Sequence, residues 1–264
     1  MLAKIAIFHL ILWGDRDSII LANTLIRSLK KNLILEEKVW IEKIEQLREN
    51  LNASATEISL VDYGAGKSDE HRTQQDMYTG ETVTTTVGEV CRSGSKSPFW
   101  SFLLFNLVRE FKPAVCIELG TCFGISTSYQ AVALSLNKAD KIVTIEGAKT
   151  LAKCAEQNIE TIGLENVRVV ADRFQDVLDK VLNESRPVDF AFIDGHHDEN
   201  ATMRYFDQLI PFLANQGVVL VFDDISWSPG MKKAWKKIKV DERVKTSVEL
   251  RKVGIYLMKT KIEE

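Results

Sequence analysis

The sequence lacks a long hydrophobic run, a surplus of basic residues and a cysteine motif. Its longest early apolar segment, residues 5–13, includes His9 and is too short to cross a bilayer. The net charge of −3 argues against a nucleic-acid surface. The four cysteines have neither the spacing of a metal site nor that of a redox pair. These absences predict a protein of the reducing cytoplasm with neither a membrane nor a nucleic acid as partner.

The 264 residues are enough for one large domain and an appendage. Residues 62–97 are polar and rich in Gly, Ser and Thr, which predicts a long loop of the kind that often serves as a lid. Two segments before this loop show the spacing of one apolar helix face. Their apolar residues are Ala22, Leu25, Ile26 and Leu29 in the first segment, and Trp40, Ile44, Leu47 and Leu51 in the second.

From Ala114 onward, apolar strands alternate with amphipathic helices. Near-continuous apolar strands are typical of a parallel sheet covered on both faces. The last two strands are too close for a helix between them, so they predict an antiparallel hairpin at the sheet edge. The predicted strands are 114–119, 141–146, 166–171, 188–194, 217–223, 246–250 and 253–259, and the helices are 124–137, 149–162, 175–184, 199–214 and 230–239.

The pattern therefore predicts an α/β fold with a doubly wound, seven-stranded, mostly parallel sheet and a C-terminal antiparallel hairpin. An N-terminal helical extension precedes it, so we divide the chain into residues 1–96 and 97–264. The N-terminal helices must bury their apolar stripes, because isolated helices of this length are marginal in water. We expect them to cover the mouth above the strand ends or to pair with a second copy of the chain in a homo-oligomer, close to substrate rather than to cofactor.

A glycine turn follows the first of these strands. The strand ends near Glu118, and Gly120 and Gly124 bracket a turn into a helix, as in nucleotide pockets of open α/β sheets. The spacing E-x-G-x-x-x-G differs from the G-x-G-x-x-G of dinucleotide enzymes. An acid there suits a cationic amino group and repels a pyrophosphate, which favours S-adenosylmethionine. Thr121 and Ser126 could add hydroxyl contacts to this ligand.

Four segments in this order resemble the class I S-adenosylmethionine-dependent methyltransferases, in particular the small-molecule branch with the catechol and macrolide-sugar O-methyltransferases. They are residues 118–126 (ELGTCFGIS), 143–147 (VTIEG), 188–197 (VDFAFIDGHH) and 217–224 (GVVLVFDD). The resemblance covers about residues 97–260, and residues 1–90 carry no matching motif. It implies that Glu146 accepts the ribose hydroxyls of the cofactor, that Asp172 contacts adenine and that Phe174 flanks the adenine ring.

Three acids, Asp194, Asp223 and Asp224, follow the fourth and fifth strands, which are neighbours in this fold. Converging carboxylates repel unless a cation neutralises them, and Mg²⁺ accepts such oxygen ligands. The resemblance implies a divalent metal at these positions. The alternative is that Asp194 contacts the methionine part of the cofactor while the other two acids cap a turn. His197 is the candidate general base for a hydroxyl proton, with His196 as the weaker candidate.

These observations predict a methyltransferase that acts, with divalent metal assistance, on an oxygen of a small molecule or natural-product scaffold. A metal-independent carboxyl- or N-methyltransferase is the nearest alternative, because such nucleophiles need less activation. A nicotinamide-dependent oxidoreductase and a non-catalytic binding protein are alternatives of other classes.

Overall fold

The computed structural model describes residues 7–8, 10–12, 14–64, 72–139 and 141–259. The part before the large sheet has two long helices, followed by a small hairpin and two short helices. In chain order these elements are α1 (Arg16–Lys30), α2 (Leu35–Ala53), β1 (Glu57–Asp62), α3 (Gln74–Thr79), β2 (Glu81–Thr86) and α4 (Val87–Gly94). β1 and β2 pair antiparallel over their whole length, from Glu57 opposite Thr86 to Asp62 opposite Glu81.

The remaining elements alternate between helix and strand, as the sequence predicts. They are α5 (Pro98–Phe111), β3 (Val115–Leu119), α6 (Ile125–Asn137), β4 (Lys141–Ile145), α7 (Lys149–Ile162), β5 (Val167–Val170), α8 (Phe174–Ser185), β6 (Phe190–Ile193), α9 (Glu199–Leu209), β7 (Val219–Phe222), α10 (Pro229–Ile238), β8 (Val244–Leu250) and β9 (Val253–Met258). The predicted helix 199–214 is shorter, because its end tightens into a 3₁₀ turn at Ile210–Phe212 that contains Pro211.

Seven strands of the described residues form one sheet in the order β5-β4-β3-β6-β7-β9-β8. The pairs from β5 to β7 are parallel, and β9 pairs antiparallel with both β7 and β8. The fold class, the doubly wound parallel sheet and the C-terminal hairpin are therefore confirmed. The chain order reverses at β3, and this switch point is where ligands bind in open α/β sheets.

The prediction of a loop over residues 62–97 is wrong where the structure describes that range, because α3, β2 and α4 lie within it. Both helices are short and begin with a capping box. Thr73 pairs with Asp76 at the start of α3, and Thr86 pairs with Glu89 at the start of α4. Helices this short carry too few apolar positions for a visible period. Residues 65–71 of the predicted loop lie outside the described residues.

The N-terminal helices do not cover the mouth above the strand ends, so that expectation is wrong. α1 packs on α5, and α2 packs on α4 and α6, within the helical layer on one face of the sheet. Leu21, Ala22 and Ile44 are fully buried in the same core as Phe105. The physical reason lies in α5, whose residues 101–108 are all buried. A helix that is apolar nearly all round must be covered on its outer side too.

No helix of the described residues is long and apolar enough to cross a membrane.

Candidate active site at the carboxyl ends of the strands

A cavity of about 230 Å³ lies beside the switch point, where the carboxyl ends of β3, β4 and β6 meet. Both the sheet and the N-terminal part of the chain contribute to its wall. The sheet side supplies Gly120, Glu146, Gly147, Ala148, Leu151, Arg173, Phe174, Asp194, Gly195, His196 and His197, and the N-terminal side supplies Leu60, Val61, Asp62, Tyr63, Gly64 and Gly94.

The two glycines of the turn after β3 serve different purposes. Gly120 has φ +104°, and a Cβ there would lie 2.0 Å from the carbonyl oxygen of Asp194. Only glycine allows this close approach of the turn to the end of β6, and Gly120 lines the cavity. Gly124 has φ +80° and caps α6, where a Cβ would lie 3.2 Å from Ile159 of α7. Gly124 therefore starts the helix without lining the cavity.

Glu118 lies beneath the turn, fully buried, and does not line the cavity. Burial raises the pKa of its carboxyl to about 7, although the hydrogen bonds it accepts lower it. The hydrogen-bond donors to the Glu118 carboxylate are Gln130 Nε2 at 2.8 Å, Thr144 Oγ1 at 2.8 Å and Thr127 Oγ1. Thr121 and Ser126 are buried as well, and the Thr121 hydroxyl shares a 2.6 Å hydrogen bond with Thr144 Oγ1. The predicted contacts of these three residues with cofactor stay predictions.

Glu146 directly follows β4 and faces the cavity. Its carboxylate accepts hydrogen bonds from the backbone N–H of Cys122 at 2.8 Å and of Ala148 at 2.9 Å, one on each oxygen. Each carboxylate oxygen has a second lone pair that remains for a ligand hydroxyl. Burial raises the pKa of this carboxyl. The arrangement links the end of β4 to the glycine turn.

The two residues predicted beside adenine differ in position. Asp172 is exposed, accepts a hydrogen bond from the backbone N–H of Arg173 at 2.9 Å and does not line the cavity. Phe174 does line it, and its ring packs edge-on against His196 with the centroids 5.5 Å apart. The structure therefore brings Phe174, and not Asp172, to the cavity.

The end of β1 and the residues after it line the cavity from the N-terminal side, which the sequence analysis missed. The ring of Tyr63 lies 2.9 Å from where a Cβ of Gly147 would stand. Farther along, the Arg173 guanidinium lies 4.7 Å from the centroid of the Tyr78 ring and donates to the Tyr78 carbonyl at 2.9 Å. The β-branched run 82–86 (TVTTT) was the signal for β2. Leu60 lines the cavity as well, and the expectation that residues 1–60 lie away from the cofactor stays a prediction.

Asp194 and Asp223 come together at the ends of β6 and β7, as the adjacency of these strands predicts. The structure adds a cation that the sequence analysis did not single out. Lys96 Nζ lies 3.1 Å from Asp194 Oδ1 and contacts Asp223 Oδ2. Burial would lower the pKa of the Lys96 ammonium, but the charges of the two acids outweigh burial and raise it. Lys96 is therefore protonated at neutral pH.

Asp224 is oriented differently from the other two acids. Its Oδ1 lies 3.5 Å from Lys252 Nζ, and its Oδ2 lies 4.0 Å from His197 Nε2. Within the part of the chain that the structure describes, no three His, Cys, Asp or Glu side chains are arranged to hold a metal ion. Lys96 takes the position that a cation would occupy between the other two acids. The residues do not fit Mg²⁺ in this arrangement, and the metal site stays a prediction.

The two histidines after β6 both have left-handed backbones, with φ +61° at His196 and +46° at His197. His196 Nδ1 shares a 2.7 Å hydrogen bond with the Tyr205 hydroxyl, and burial lowers the pKa of this histidine to about 4. His197 Nε2 lies 3.7 Å from Asp194 Oδ1, and burial also lowers the pKa of its ring. His197 is the histidine that faces the acids, because a ring nitrogen of His196 is bound to Tyr205.

Comparisons with known proteins agree with this geometry. Residues 117–225 match the family described as a methyltransferase domain. The fold is similar to that of the O-methyltransferase from Bacillus cereus solved with S-adenosylhomocysteine (SAH), at 24% identity and a TM-score of 0.54, covering 62% of this chain and 83% of that one. A comparison with curated proteins gives no match.

Two further solved structures share the fold. The O-methyltransferase TomG from Streptomyces achromogenes, involved in tomaymycin synthesis and solved with S-adenosylmethionine (SAM), has 21% identity and a TM-score of 0.54, covering 62% of this chain and 82% of that one. The SAH-bound methyltransferase PaMTH1 from Podospora anserina has 15% identity and a TM-score of 0.55, covering 63% and 80%. The resemblance to methyltransferases is confirmed: residues 117–225 match a methyltransferase domain, and the fold is shared with methyltransferases solved with SAM or SAH.

Proposed function

We propose that this protein transfers the methyl group of SAM to an oxygen of a small molecule. The observation that carries the proposal is the order of groups along one sheet edge. Glu146 follows β4, Asp194 and His197 follow β6, and β3 lies between these two strands; all three residues line the cavity. We infer that the nucleoside part of SAM binds beside Glu146, with the sulfonium methyl toward the acids.

For the cofactor, we propose that the Glu146 carboxylate accepts the ribose hydroxyls with its free lone pairs. Phe174 and His196, which lie edge to face in the wall, would flank the adenine ring. Tyr63 would cover the ribose from the side of the β1–β2 hairpin, since it lies against Gly147. Asp194 lines the same cavity, and its carboxylate would pair with the cationic methionine amino group.

SAM supplies a methyl group on a good leaving group, so the protein needs mainly to position the acceptor and to manage charge. His197 is the group we propose to take the hydroxyl proton. Its Nε2 lies 3.7 Å from Asp194 Oδ1 and 4.0 Å from Asp224 Oδ2, and these carboxylates would stabilise the imidazolium that forms. The Trp227 ring, 6.3 Å from the His197 ring, would border the acceptor side.

The charges around this end favour a neutral acceptor. Three carboxylates face two ammonium groups, those of Lys96 and Lys252. The resulting negative field repels a carboxylate acceptor and favours an alcohol or phenol. The same field attracts a cationic amine, so methylation of nitrogen is the second candidate. The tomaymycin role of TomG is consistent with a natural-product acceptor.

The first experiment is calorimetry with SAH on the wild type, on Glu146→Gln and on the control Asp172→Asn. Glu146→Gln removes a charged acceptor, a loss of about 1.5–3 kcal/mol, so the affinity should fall roughly 10- to 150-fold. Asp172 follows a strand in the same way but does not line the cavity, so its variant should bind normally. Absence of SAH binding by the folded wild type, or binding of NADH in its place by fluorescence titration, would overturn the proposal.

The acceptor class is tested separately. Release of SAH from SAM is measured with matched alcohols, phenols, amines and carboxylic acids. Turnover with hydroxyl compounds supports the proposal, and turnover with amines alone would replace it with N-methylation.

A further inference from the structure

One lysine reaches into the acid pair from a distant part of the chain. Lys96 stands between α4 and α5, 98 residues before Asp194 and 127 before Asp223. Its ammonium has three N–H donors. Within the described residues, two of them are used, at Asp194 Oδ1 and at Asp223 Oδ2. The third is left for an oxygen of a ligand.

The backbone of Lys96 is fixed from two helices. Its carbonyl oxygen accepts hydrogen bonds from Arg48 Nη1 of α2 and from the Ser101 hydroxyl of α5, the latter at 3.2 Å. Arg48 Nη2 also donates to Ser101 Oγ at 3.2 Å, and its Nε pairs with Glu45 at 3.0 Å. Arg48 is itself buried. A buried arginine with all these partners is a rigid support, so the position of Lys96 is built into the fold.

The side chain of Lys96 is also held along its length. It borders a small apolar slot whose other residues are Trp100, Leu103, Leu104, Phe192, Val221, Asp223 and Val253. A lysine stem packs well against such surface while its ammonium reaches a polar partner at the end of the slot. The slot therefore directs the ammonium to the acid pair.

We propose that Lys96 is a built-in cation that takes the place of a divalent metal at Asp194 and Asp223, so that methyl transfer needs no metal. The statement that methyl transfer needs no metal rests on the proposed function, whereas the statement that Lys96 replaces a metal between the two acids does not. Without the ammonium, two buried carboxylates would lie together, and such a pair requires a proton or a cation. A divalent ion can hold two oxygens of one acceptor, whereas the single free N–H of Lys96 holds one. The acceptor class is therefore a compound with one reacting oxygen, and a vicinal diol gains no advantage.

The proposal is tested with Mn²⁺ alone, because carboxylates bind it readily and free Mn²⁺ is measured by electron paramagnetic resonance. The wild type should bind Mn²⁺ weakly. Lys96→Met, which keeps an unbranched stem in the apolar slot, should bind at least about tenfold more tightly. The double variant Lys96→Met with Asp223→Asn should lose that gain. Lys252→Ala is the matched control, because it removes a lysine beside Asp224 without freeing the acid pair.

Two results would overturn the proposal: Mn²⁺ binding by the wild type as tight as by Lys96→Met, or no gain in a folded Lys96→Met. Lys96→Arg serves as a second variant if Lys96→Met fails to fold, and it should bind Mn²⁺ as weakly as the wild type. Calorimetry with SAH on the same preparations tests the methyltransferase proposal independently. With an acceptor in hand, EDTA should leave the wild-type rate unchanged, and a loss restored by Mg²⁺ would contradict the inference.

Discussion

The substitution Glu118→Gln distinguishes the buried position of this acid from the cofactor contact that the sequence suggests. Burial raises the pKa of Glu118 from 4.5 to about 7. Between about pH 4.5 and pH 7, Glu118 is therefore protonated in the folded state and ionised in the unfolded state. Its stabilising contribution is complete below about pH 4.5 and is lost as the pH rises through about 7. At about 1.4 kcal/mol per pKa unit, the loss is about 3 kcal/mol.

The variant should remove this loss without opening a cavity. Glutamine has nearly the same shape, and Gln130 Oε1, which has no hydrogen-bond partner among the described residues, can accept from the new amide after a half-turn. Urea unfolding from about pH 5 to pH 8 should show the variant gaining about 3 kcal/mol on the wild type as the pH rises. The quantity to compare is the difference in the free energy of unfolding between the two proteins. His196, whose pKa is lowered to about 4, makes stability rise with pH in both of them, and this contribution cancels in the difference.

Glu160→Gln, at an exposed position of α7, is the control and should show no such change with pH. The affinity for SAH should stay within about twofold in Glu118→Gln, because this residue does not line the cavity. Parallel pH profiles of the wild type and Glu118→Gln would refute the argument from burial. A fall of more than about tenfold in SAH affinity would restore the direct contact with cofactor.

Three further outcomes follow from the packing. Gly120→Ala should abolish SAH binding in calorimetry and lower the melting temperature, because its Cβ would lie 2.0 Å from the Asp194 carbonyl. Normal SAH binding would contradict this. Leu25→Ala should cost about 2–5 kcal/mol in urea unfolding, while Leu29→Ala, half exposed on the same helix, should cost much less; equal costs would contradict the packing of α1. His197→Gln should lower turnover roughly 100- to 10,000-fold and leave SAH affinity unchanged, and normal turnover would exclude it as the base.

The sheet could be predicted because its strands are short, apolar and separated by regular helices. Residues 190–193 and 219–222, for example, are buried on both faces, so their sequence is uniformly apolar. Glu146 follows such a strand, so the sequence also predicts that it lies at the edge formed by the carboxyl ends of the strands, where the cavity is. For Glu118, by contrast, the sequence shows an acid near the end of a strand but not whether its side chain faces the cavity or the core. Two hydroxyls and one amide from α6 and β4 donate to this carboxylate, and no local sequence pattern predicts these contacts.

Lys96 could not be predicted for a different reason. Residues 93–97 (SGSKS) belong to the predicted loop 62–97, whereas the structure ends α4 at Gly94 and begins α5 at Pro98. What gives the lysine its position is a buried arginine 48 residues earlier and an acid pair about a hundred residues later. Contacts of this range come from the packing of whole helices, and neither periodicity nor spacing encodes them.

The position of Arg48 also bears on what the N-terminal part does. α2 lies in the helical layer, far along the chain from the strand ends, yet its Arg48 holds the carbonyl of the residue whose ammonium lies between the acids. Tyr63, directly after β1, lines the cavity. The N-terminal part therefore contributes both to the wall of the cavity and to the contacts of the acid pair. We therefore expect a change in the packing of α2 to affect both the position of Lys96 and the wall of the cavity.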